Sequence, residues 1–294
     1  ALKEAALALD WERLEADSGL SRESMREFAE IIGGTKKAVF VWSMGITQHA
    51  FGGDAVSMIL NLGLMRGFLG RDGAGLMPIR GHSGVQGGAE MGAYSNVFPG
   101  GKPINASSAA ALSRAYGFPV PDWEGMTTPE MLDRADIAGI DMLYSLGGNL
   151  LRTMPQPDEV AARLSKIPLR VHQDILVTDQ MLVEPGEAVL LLPAQTRYEQ
   201  EGGGTETTTE RRIAFSPEIP RAVGEAKAEW RILRELACAV DPAADELLGC
   251  ASGEAIRAEI AQIVPIYSGI ETLSQTGDAV QYGGRHLCQG GQCP

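Results

Sequence analysis

The sequence lacks long apolar runs. Its longest, such as residues 188–194, are far shorter than the roughly 20 residues that a helix needs to cross a membrane. No charged leader followed by an apolar segment opens the chain, so nothing marks it for secretion. We therefore expect no membrane span and a cytoplasmic protein.

Cysteine is also scarce, with four in 294 residues, which excludes a disulfide-stabilised scaffold. Cys238 and Cys250 lie in or near helical patterns and are expected to be structural thiols. Cys288 and Cys293, together with His286, are weak candidates for metal ligands, because glycine-containing sequence separates the two cysteines. We predict no metal site within the chain.

Positive charge is the third deficiency. The 25 lysine and arginine residues are outnumbered by 38 aspartate and glutamate residues, which gives a formal net charge of −13. Proteins that hold nucleic acid need clustered lysine and arginine to neutralise phosphates. We therefore expect a small-molecule ligand and no nucleic-acid partner.

What the sequence does contain is an alternation of amphipathic helices and short apolar strands. Ser21 precedes a run with helical periodicity that ends at Gly33 and Gly34, and residues 37–43 then predict a buried parallel strand. A second helix is predicted to start near Asp54. This order predicts an α/β fold with doubly wound, mostly parallel sheets.

The second half of the chain repeats the pattern. Strands are predicted at residues 140–146, around His172 and at residues 187–194, and a helix is predicted at residues 224–240. Residues 196–213 are too rich in glycine and threonine for a helix and predict an exposed loop or hairpin. Ligands of such folds bind beyond the carboxyl ends of the strands. Those ends carry GITQH, GGN, HQD and LPA.

Several residues at these ends allow two interpretations. Gly45, and likewise Gly147 with Gly148, either admit a phosphate close to backbone N–H groups or form ordinary strand-to-helix turns, which is the commoner case. Asp174 either accepts hydrogen bonds from a guanine or ribose edge or is an acidic loop residue. His49 and His172 are expected to be structural histidines with satisfied nitrogens.

The glycine-rich segment at residues 42–92 follows an apolar strand directly, so its backbone can approach a large polar ligand. Within it, Arg80 and His82 are suited to anchoring an anion and to moving a proton. The alternative is an arginine paired with a carboxylate and a histidine bonded to backbone. A charged group further along either clasps a ligand or forms an exposed charged run; its members are Glu206, Glu210, Arg211 and Arg212.

Three stretches resemble the catalytic subunits of the molybdopterin oxidoreductase superfamily, near formate dehydrogenase. They are MGITQH, NLGLMRGFLGRDGAGLMPIRGHSGVQGG and ETTTERRI. The likeness extends from about Trp42 to the end of the chain. Within the superfamily the chain is most similar to the formate-dehydrogenase-like "oxidoreductase alpha (molybdopterin) subunit" branch.

The resemblance implies dinucleotide-binding-like domains of the formate dehydrogenase/DMSO reductase type. These would hold a molybdenum bis(molybdopterin guanine dinucleotide) cofactor, with a 4Fe-4S cluster in a preceding N-terminal segment and the two-electron chemistry at molybdenum. Residues 1–82 would end one pterin-dinucleotide domain, residues 83–285 would form the second, and residues 286–294 would lead toward a C-terminal domain. The implied cofactor-binding residues are Met44, Gly45, Gln48, Gly147, Asn149, Gln173 and Asp174.

By the same resemblance, Arg80 matches the arginine beside molybdenum in formate dehydrogenases, and Arg80 and His82 are the expected catalytic residues. His82 stands where those enzymes have glutamine, which weakens the case for formate as the substrate. The chain contains neither the iron–sulfur segment nor the molybdenum ligand, so we expect a fragment that is inactive alone, with the electron-transfer partner left open. The alternative is a non-catalytic cofactor-binding or scaffold module.

Overall fold

The computed structural model describes residues 2–82, 84–137, 139–221 and 223–284. The chain divides into two compact units: the first comprises the residues up to Gly81 together with Gly284, and the second spans His82–Gly283. The predicted linker at residues 286–294 lies outside the described residues, as do the candidate metal ligands His286, Cys288 and Cys293. The pterin-binding roles predicted for residues 1–82 and 83–285 stay predictions.

The first unit alternates helices with a pair of strands. Along the chain they are α1 (Leu2–Leu7), α2 (Trp11–Ser18), α3 (Arg22–Gly34), β1 (Val39–Trp42), α4 (Met44–Thr47), α5 (Gly52–Met65) and β2 (Gly75–Pro78). Ser21 caps α3 as predicted, because its hydroxyl accepts the Ser24 N–H at 3.2 Å. Strands β1 and β2 pair in parallel.

Burial in the first unit differs from the sequence prediction. On the apolar face of α3, Ile32 is buried, whereas Phe28 and Ile31 are exposed. In β1, Trp42 is buried but Val41 is 50% exposed, so the strand is parallel as predicted, but the prediction that it is buried is wrong for Val41. The reason is that β1 pairs with one strand in the described part of this unit, and its residues are not covered on both faces.

Arg66 and Phe68 hold the first unit together where α5 ends. The Arg66 guanidinium donates to the Gly33 carbonyl at 2.7 Å and to the Ile32 carbonyl at 3.1 Å, and so satisfies carbonyls at the C-terminus of α3. Phe68 is fully buried and meets Phe40 of β1 edge to face, with ring centroids 5.6 Å apart. These contacts fix the strand end that precedes α4.

The second unit begins with small elements and continues into strands and helices. In chain order they are α6 (Val85–Glu90), β3 (Val97–Phe98), β4 (Lys102–Pro103), α7 (Ala106–Tyr116), α8 (Thr128–Asp136), β5 (Met142–Leu146), α9 (Leu150–Thr153), α10 (Pro157–Leu164), β6 (Leu169–Asp174), β7 (Ala188–Pro193), β8 (Gly204–Thr207), β9 (Arg212–Ser216), α11 (Glu229–Val240), α12 (Ala244–Leu247), α13 (Gly253–Ile263) and β10 (Ala279–Gln281). Single 3-10 turns lie at Pro99–Gly101, Asp179–Leu182, Pro265–Tyr267 and Ile270–Thr272.

A parallel sheet in the order β5-β6-β7 is the centre of this unit. Helices α8 and α10 pack on one face, where Leu132 and Leu164 form a buried cluster with Leu143 of β5 against it. Helices α11 and α12 line a cavity with the other face. Helices on both faces of a parallel sheet confirm the predicted α/β fold class.

The segment at residues 196–213 forms part of a hairpin rather than an exposed loop. Strands β8 and β9 pair antiparallel and β10 joins β9. Ile213 and Phe215 of β9 are buried in a cluster with Tyr267 and Tyr282. The prediction of a hairpin is confirmed, and the prediction of exposure is wrong because one face of the hairpin covers this cluster.

Candidate functional site

In the first unit, the short helix α4 begins just after β1 and forms an exposed surface. Met44 and Gly45 lie in α4, and Gln48 follows it directly. Met44 is 47% exposed, and its side chain lies against Gly81, where a Cβ would be 3.4 Å from the methionine sulfur. A Cβ on Gly45 would meet nothing within 4 Å. The three residues predicted to bind a cofactor in this unit therefore share one accessible strand end.

Arg80 follows the neighbouring strand β2. The ends of β1 and β2 are tied together, because the Ser43 hydroxyl donates to the Ile79 carbonyl at 3.2 Å and the Ile79 N–H donates to the Trp42 carbonyl at 2.7 Å. Arg80 is exposed at this edge. His82 is also exposed but begins the second unit. Their predicted catalytic roles stay predictions.

In the second unit, the structure brings together all four predicted cofactor-binding residues at the carboxyl ends of β5 and β6. Gly147 follows β5, and its N–H donates to the carbonyl of Gln173 on β6 at 2.8 Å. Gly147 and Gly148 have φ of 65° and 76°, a region that glycine enters without strain. The two glycines therefore form a sharp turn that leads to Asn149, and the turn is bonded to the end of β6 through Gly147.

Asn149 is held by its amide nitrogen. Asn149 Nδ2 donates to Asp179 Oδ1 at 2.5 Å, and Asp179 also pairs with Arg152 at 2.6 Å. The Asn149 hydrogen bond, with a smaller effect from the Arg152 charge, holds the pKa of Asp179 below its usual value. Asn149 Oδ1 is buried and accepts no hydrogen bond from the residues that the structure describes. An unpaired buried acceptor at a strand end is unusual and indicates a missing donor.

Asp174 ends β6 and is half-buried. Its Oδ1 accepts the Ile175 N–H at 2.7 Å and the Leu176 N–H at 3.4 Å. These bonds fix the carboxylate at the edge of the sheet, next to the turn that carries Asn149. The edge consequently presents hydrogen-bond acceptors from two adjacent strands.

Gln173 supports this edge from inside the unit. The side chain is fully buried; its Oε1 accepts the Tyr144 hydroxyl at 2.6 Å, and its Nε2 donates to the Glu229 carbonyl at 3.2 Å. Burial raises the pKa of Tyr144, which keeps its proton on the hydroxyl that donates. The Gln173 side chain thus ties β5, β6 and α11 together.

Sequence reasoning missed two buried residues, Arg170 and Gln180. Arg170 on β6 is fully buried and donates to the Gln180 carbonyl at 2.9 Å and to the Val183 carbonyl. The Gln180 side chain accepts the Leu150 N–H at 2.8 Å and donates to the Gly148 carbonyl at 2.9 Å. In the sequence, Gln180 follows an apolar run without periodicity, which gives no sign of a contact with the turn after β5.

His172 contradicts the expectation of a satisfied structural histidine. It is 2% exposed, yet neither ring nitrogen has a partner among the described residues. It lines a cavity of about 280 Å³ with Asp174 and Leu191. Burial, reinforced by the Arg170 charge, lowers the pKa of His172, so the neutral ring is favoured. His49, by contrast, is exposed.

Comparison with known proteins gives the family. The profile of the molybdopterin oxidoreductases matches residues 8–239. The chain belongs to the molybdopterin oxidoreductase family. It is 32% identical over 264 residues to the probable oxidoreductase YjgC of Bacillus subtilis, covering 88% of this chain and 25% of that protein.

Formate dehydrogenase subunits are also among the relatives of this molybdopterin oxidoreductase chain. It is 33% identical over 258 residues to the F420-dependent formate dehydrogenase subunit alpha of Methanocaldococcus jannaschii, covering 86% of the chain and 36% of that subunit. Against the F420-dependent formate dehydrogenase 2 subunit alpha of Methanococcus maripaludis, identity is 31% over 289 residues, 96% of the chain and 40% of the subunit. The chain therefore spans less than half the length of these relatives. Membership of the family implies a molybdenum–pterin cofactor.

Two members of the charged group on the hairpin of this family member, Glu206 and Arg211, are paired within the protein. Arg197 bridges to Glu206 at 2.6 Å. Arg211 has a φ of 63°; its guanidinium donates to the Tyr282 carbonyl and lies over the Tyr282 ring at 5.7 Å. Glu206 and Arg211 thus hold the hairpin in place, which differs from both interpretations offered by the sequence, whereas Glu210 and Arg212 are exposed, as expected of a charged run.

A half-buried carboxylate, that of Glu90, joins the hairpin cluster to α6. Glu90 accepts the hydroxyls of Tyr267 and Tyr282, the latter at 2.8 Å, and the two rings stack with centroids 5.0 Å apart. Thr207 of β8 shares the Tyr267 hydroxyl at 3.1 Å. Burial, and next the Glu90 hydrogen bond, raise the pKa of Tyr282 to about 12. The cluster anchors α6, the helix near the end of the glycine-rich segment.

The other surfaces of the chain offer less for a polar cofactor. A cavity of about 810 Å³ lies between the β5-β6-β7 sheet and α11, and leucine, valine and alanine side chains dominate its lining. Cys238 and Cys250 are half-buried and not disulfide-bonded, consistent with structural thiols.

Within the described ranges, no cluster of three or more His, Cys, Asp or Glu is placed to hold a metal ion, and no helix there has the length and apolarity to span a membrane.

Proposed function

We propose that this chain is part of a formate-dehydrogenase-like oxidoreductase that uses a molybdenum bis(molybdopterin guanine dinucleotide) cofactor. The observation that carries the proposal is the pair of acceptors at adjacent strand ends, Asn149 Oδ1 and the Asp174 carboxylate. A buried acceptor without a partner costs stability unless a ligand donates to it. The residues present therefore fit a cofactor that brings N–H groups to this edge.

The guanine form of the cofactor suits these acceptors. Guanine carries N–H donors on its ring nitrogen and its amino group, and a carboxylate paired with an amide oxygen is matched to them. Asp174 would accept from the base with its remaining oxygen, since Oδ1 already accepts the Ile175 N–H at 2.7 Å. Asn149 would accept through Oδ1, since its nitrogen donates to Asp179.

Met44, Gly45 and Gln48 would bind the second pterin dinucleotide. Support comes from their shared position after β1 and from the open space at Gly45, which lets a ligand approach the backbone. When bound, the molybdenum–pterin group supplies the two-electron exchange with a small substrate. In this proposal the first unit contributes binding surface and orientation.

Arg80 would hold a small anionic substrate, and His82 would accept or donate its proton. The motivating observations are that both are exposed and that Arg80 follows the end of β2, next to Gly81 and Met44. For the whole protein we propose a 4Fe-4S cluster and a molybdenum ligand carried outside these 294 residues, an electron-transfer partner and a cytoplasmic location. The 294 residues alone would then not turn over.

The direct test is molybdenum and pterin analysis of the full-length protein made in cells that synthesise the cofactor. Elemental analysis should give stoichiometric molybdenum, and release of the nucleotide should give guanosine phosphate. Cleanly folded protein with neither would refute the proposal. A cytidine nucleotide in place of guanosine would refute the guanine assignment alone.

Arg80→Ala tests the substrate assignment. We expect kcat/KM toward the best substrate in a screen of formate and other small oxyanions to fall by about 10²–10³, the usual effect of losing a group that stabilises an anion, while molybdenum content stays unchanged. Arg13→Ala is the matched control, since Arg13 is an exposed arginine on α2 of the same unit. Loss of molybdenum from the Arg80 variant would instead assign Arg80 a structural role.

A further inference from the structure

Helix α11 is tied to the β5-β6-β7 sheet at its first turn and is exposed toward its last. Gln173 Nε2 on β6 donates to the Glu229 carbonyl at 3.2 Å, which fixes the start of the helix. Ile232, Leu236 and Val240 follow at four-residue spacing and share one face of α11. Their exposed fractions rise from 7% to 39% to 88%. The apolar face of the helix therefore loses its contacts toward the C-terminal end, where it lines the cavity of about 810 Å³.

The opposite wall of this cavity is one face of the parallel sheet. Met142 of β5 and Leu190 of β7 line the cavity and are 54% and 51% exposed, whereas Val171 on the central strand β6 is buried. Parallel sheets are normally covered by helices on both faces. In the part of the chain that the structure describes, α11 and α12 are the helices that line this face. The exposed residues on the two outer strands show that these helices do not cover it fully.

The cavity has the size of a short helix. A helix with its side chains is about 10 Å across and rises about 1.5 Å per residue, so a volume of 810 Å³ corresponds to roughly two turns. Water enters a cavity stably only where polar groups can bond to it. Tyr144 and Asp241 are the polar residues of the lining, and the Tyr144 hydroxyl already donates to Gln173. Apolar protein side chains therefore suit this cavity better than water does.

We propose that the cavity receives an amphipathic helix of the full-length protein from outside these 294 residues. Its apolar side chains would pack between α11 and the sheet, and a lysine or arginine at its edge would face Asp241, which lies next to Val240 at the open end. The chain spans 25% to 40% of the length of its relatives, so proteins of this family have the length to supply such a helix. The inference does not depend on which cofactor the protein binds.

The wall of the cavity favours such a helix over other occupants. Small-molecule sites place a few polar groups inside an apolar pocket, whereas here the Tyr144 hydroxyl is engaged and Asp241 lies at the open end. In a twofold dimer a second copy would have to fill a concave surface with the same concave surface, and each copy carries a net charge of −13. A wall so poor in charge is typical of permanent contacts, which resemble a domain core cut in half.

Photo-crosslinking in the full-length protein identifies the occupant. With Val240→benzoylphenylalanine, peptide mass spectrometry should find an intramolecular crosslink to a segment outside residues 1–294 whose apolar residues recur every three or four positions. The matched control is Ala239→benzoylphenylalanine, at an exposed neighbour on α11 that is not part of the cavity lining. It should give at least about tenfold less of this product, because the crosslink needs side-chain contact. A crosslink to residues within 1–294, to a second copy or to another protein, or a yield equal to that of the control, would overturn the proposal.

An introduced charge gives an independent test in the same full-length protein. Val240→Asp would place a carboxylate in the filled cavity, whereas Ala239→Asp places one in solvent within the same last turn of α11. Intrinsic helix preference favours the opposite order, because alanine loses more than valine on replacement by aspartate. We expect Val240→Asp to lower the Tm by at least about 4 °C more than Ala239→Asp does. Equal shifts, or a larger shift for Ala239→Asp, would show that the cavity stays open in the full-length protein and that the proposal is wrong.

Discussion

His172 is the most unusual buried residue of the second unit, and its replacement by leucine gives a sharp test of the packing around the strand ends. It is 2% exposed, and both ring nitrogens are buried without a partner in the described part of the chain. Its cavity is lined by apolar side chains of Met181 and Leu191, with Asp174 at one side. Leucine has a similar size and no polar atom to satisfy. We therefore expect His172→Leu to stabilise the chain.

The expected size follows from two contributions. Leaving a buried polar group unsatisfied costs about 1–3 kcal/mol. His172→Leu removes this cost at neutral pH, less whatever is lost because the leucine side chain does not fill the same space. The second contribution depends on pH. Because burial and the Arg170 charge lower the folded-state pKa of His172 below 6.5, the unfolded chain binds a proton at this residue more readily, so the free energy of unfolding falls as the pH drops from 6.5 toward the folded pKa. The limiting slope is about 1.4 kcal/mol per pH unit, and the leucine variant lacks it.

The assay is urea unfolding of the 294-residue chain at pH 7.5 and 5.5, following the transition of the second unit. His49→Leu, at an exposed histidine, is the control and should keep the wild-type difference between the two pH values. His172→Leu should be more stable at pH 7.5 and should gain about a further 1 kcal/mol over wild type at pH 5.5. A variant that is less stable at pH 7.5, or that keeps the wild-type pH dependence, would show that His172 is hydrogen-bonded and that the reasoning is wrong.

Two further predictions concern the hairpin cluster. Burial and the Glu90 hydrogen bond raise the pKa of Tyr282 from 10.0 to about 12. The stabilisation from the protonated hydroxyl is therefore present below pH 10 and is lost as the pH rises to about 12. Urea unfolding should show a loss of about 2–3 kcal/mol in that window, and Tyr282→Phe should reduce this loss. Gly203 has a φ of 72°, and a Cβ there would lie 2.5 Å from the Phe215 ring, so Gly203→Ala should lower the free energy of unfolding by more than about 1 kcal/mol. Gly224→Ala, with a φ of 54° and no atom within 4 Å, should lose less; equal losses would refute the steric explanation.

The sequence predicted elements whose signals are local. The cap at Ser21 follows from a hydroxyl before a periodic run, and the structure shows the corresponding hydrogen bond to Ser24. The three parallel strands of the second unit follow from short apolar runs between turn residues. Burial could not be predicted in the same way. Val41 and Phe28 are apolar but exposed. Whether an apolar side chain is buried depends on which other elements pack over that side of the strand or helix, and the local sequence does not show this.

The sequence predicted where the candidate site lies, but not which buried side chains hold it in place. Asn149 and Asp174 were placed at strand ends from the α/β pattern and the family resemblance, and the structure does bring those ends together. Gln180 contacts the turn from 32 positions away, and no periodic or turn signal connects such distant residues. His172 was expected to be satisfied because most buried histidines are. Its unpaired nitrogens depend on side chains from other elements, which a single sequence does not reveal.

The polarity of the strand-end turn shows why a motif alone cannot name the group it binds. Gly147-Gly148 before a short helix has the composition of a phosphate cradle, where backbone N–H groups point at an anion. In the folded chain, the Gln173 carbonyl takes one of those N–H groups and the Gln180 side chain takes another, at 2.8 Å each. The same glycines without these partners would present two more donors to an anion. The residues behind the turn therefore decide how many backbone N–H groups, beside the unpaired acceptor Asn149 Oδ1, are available to a ligand.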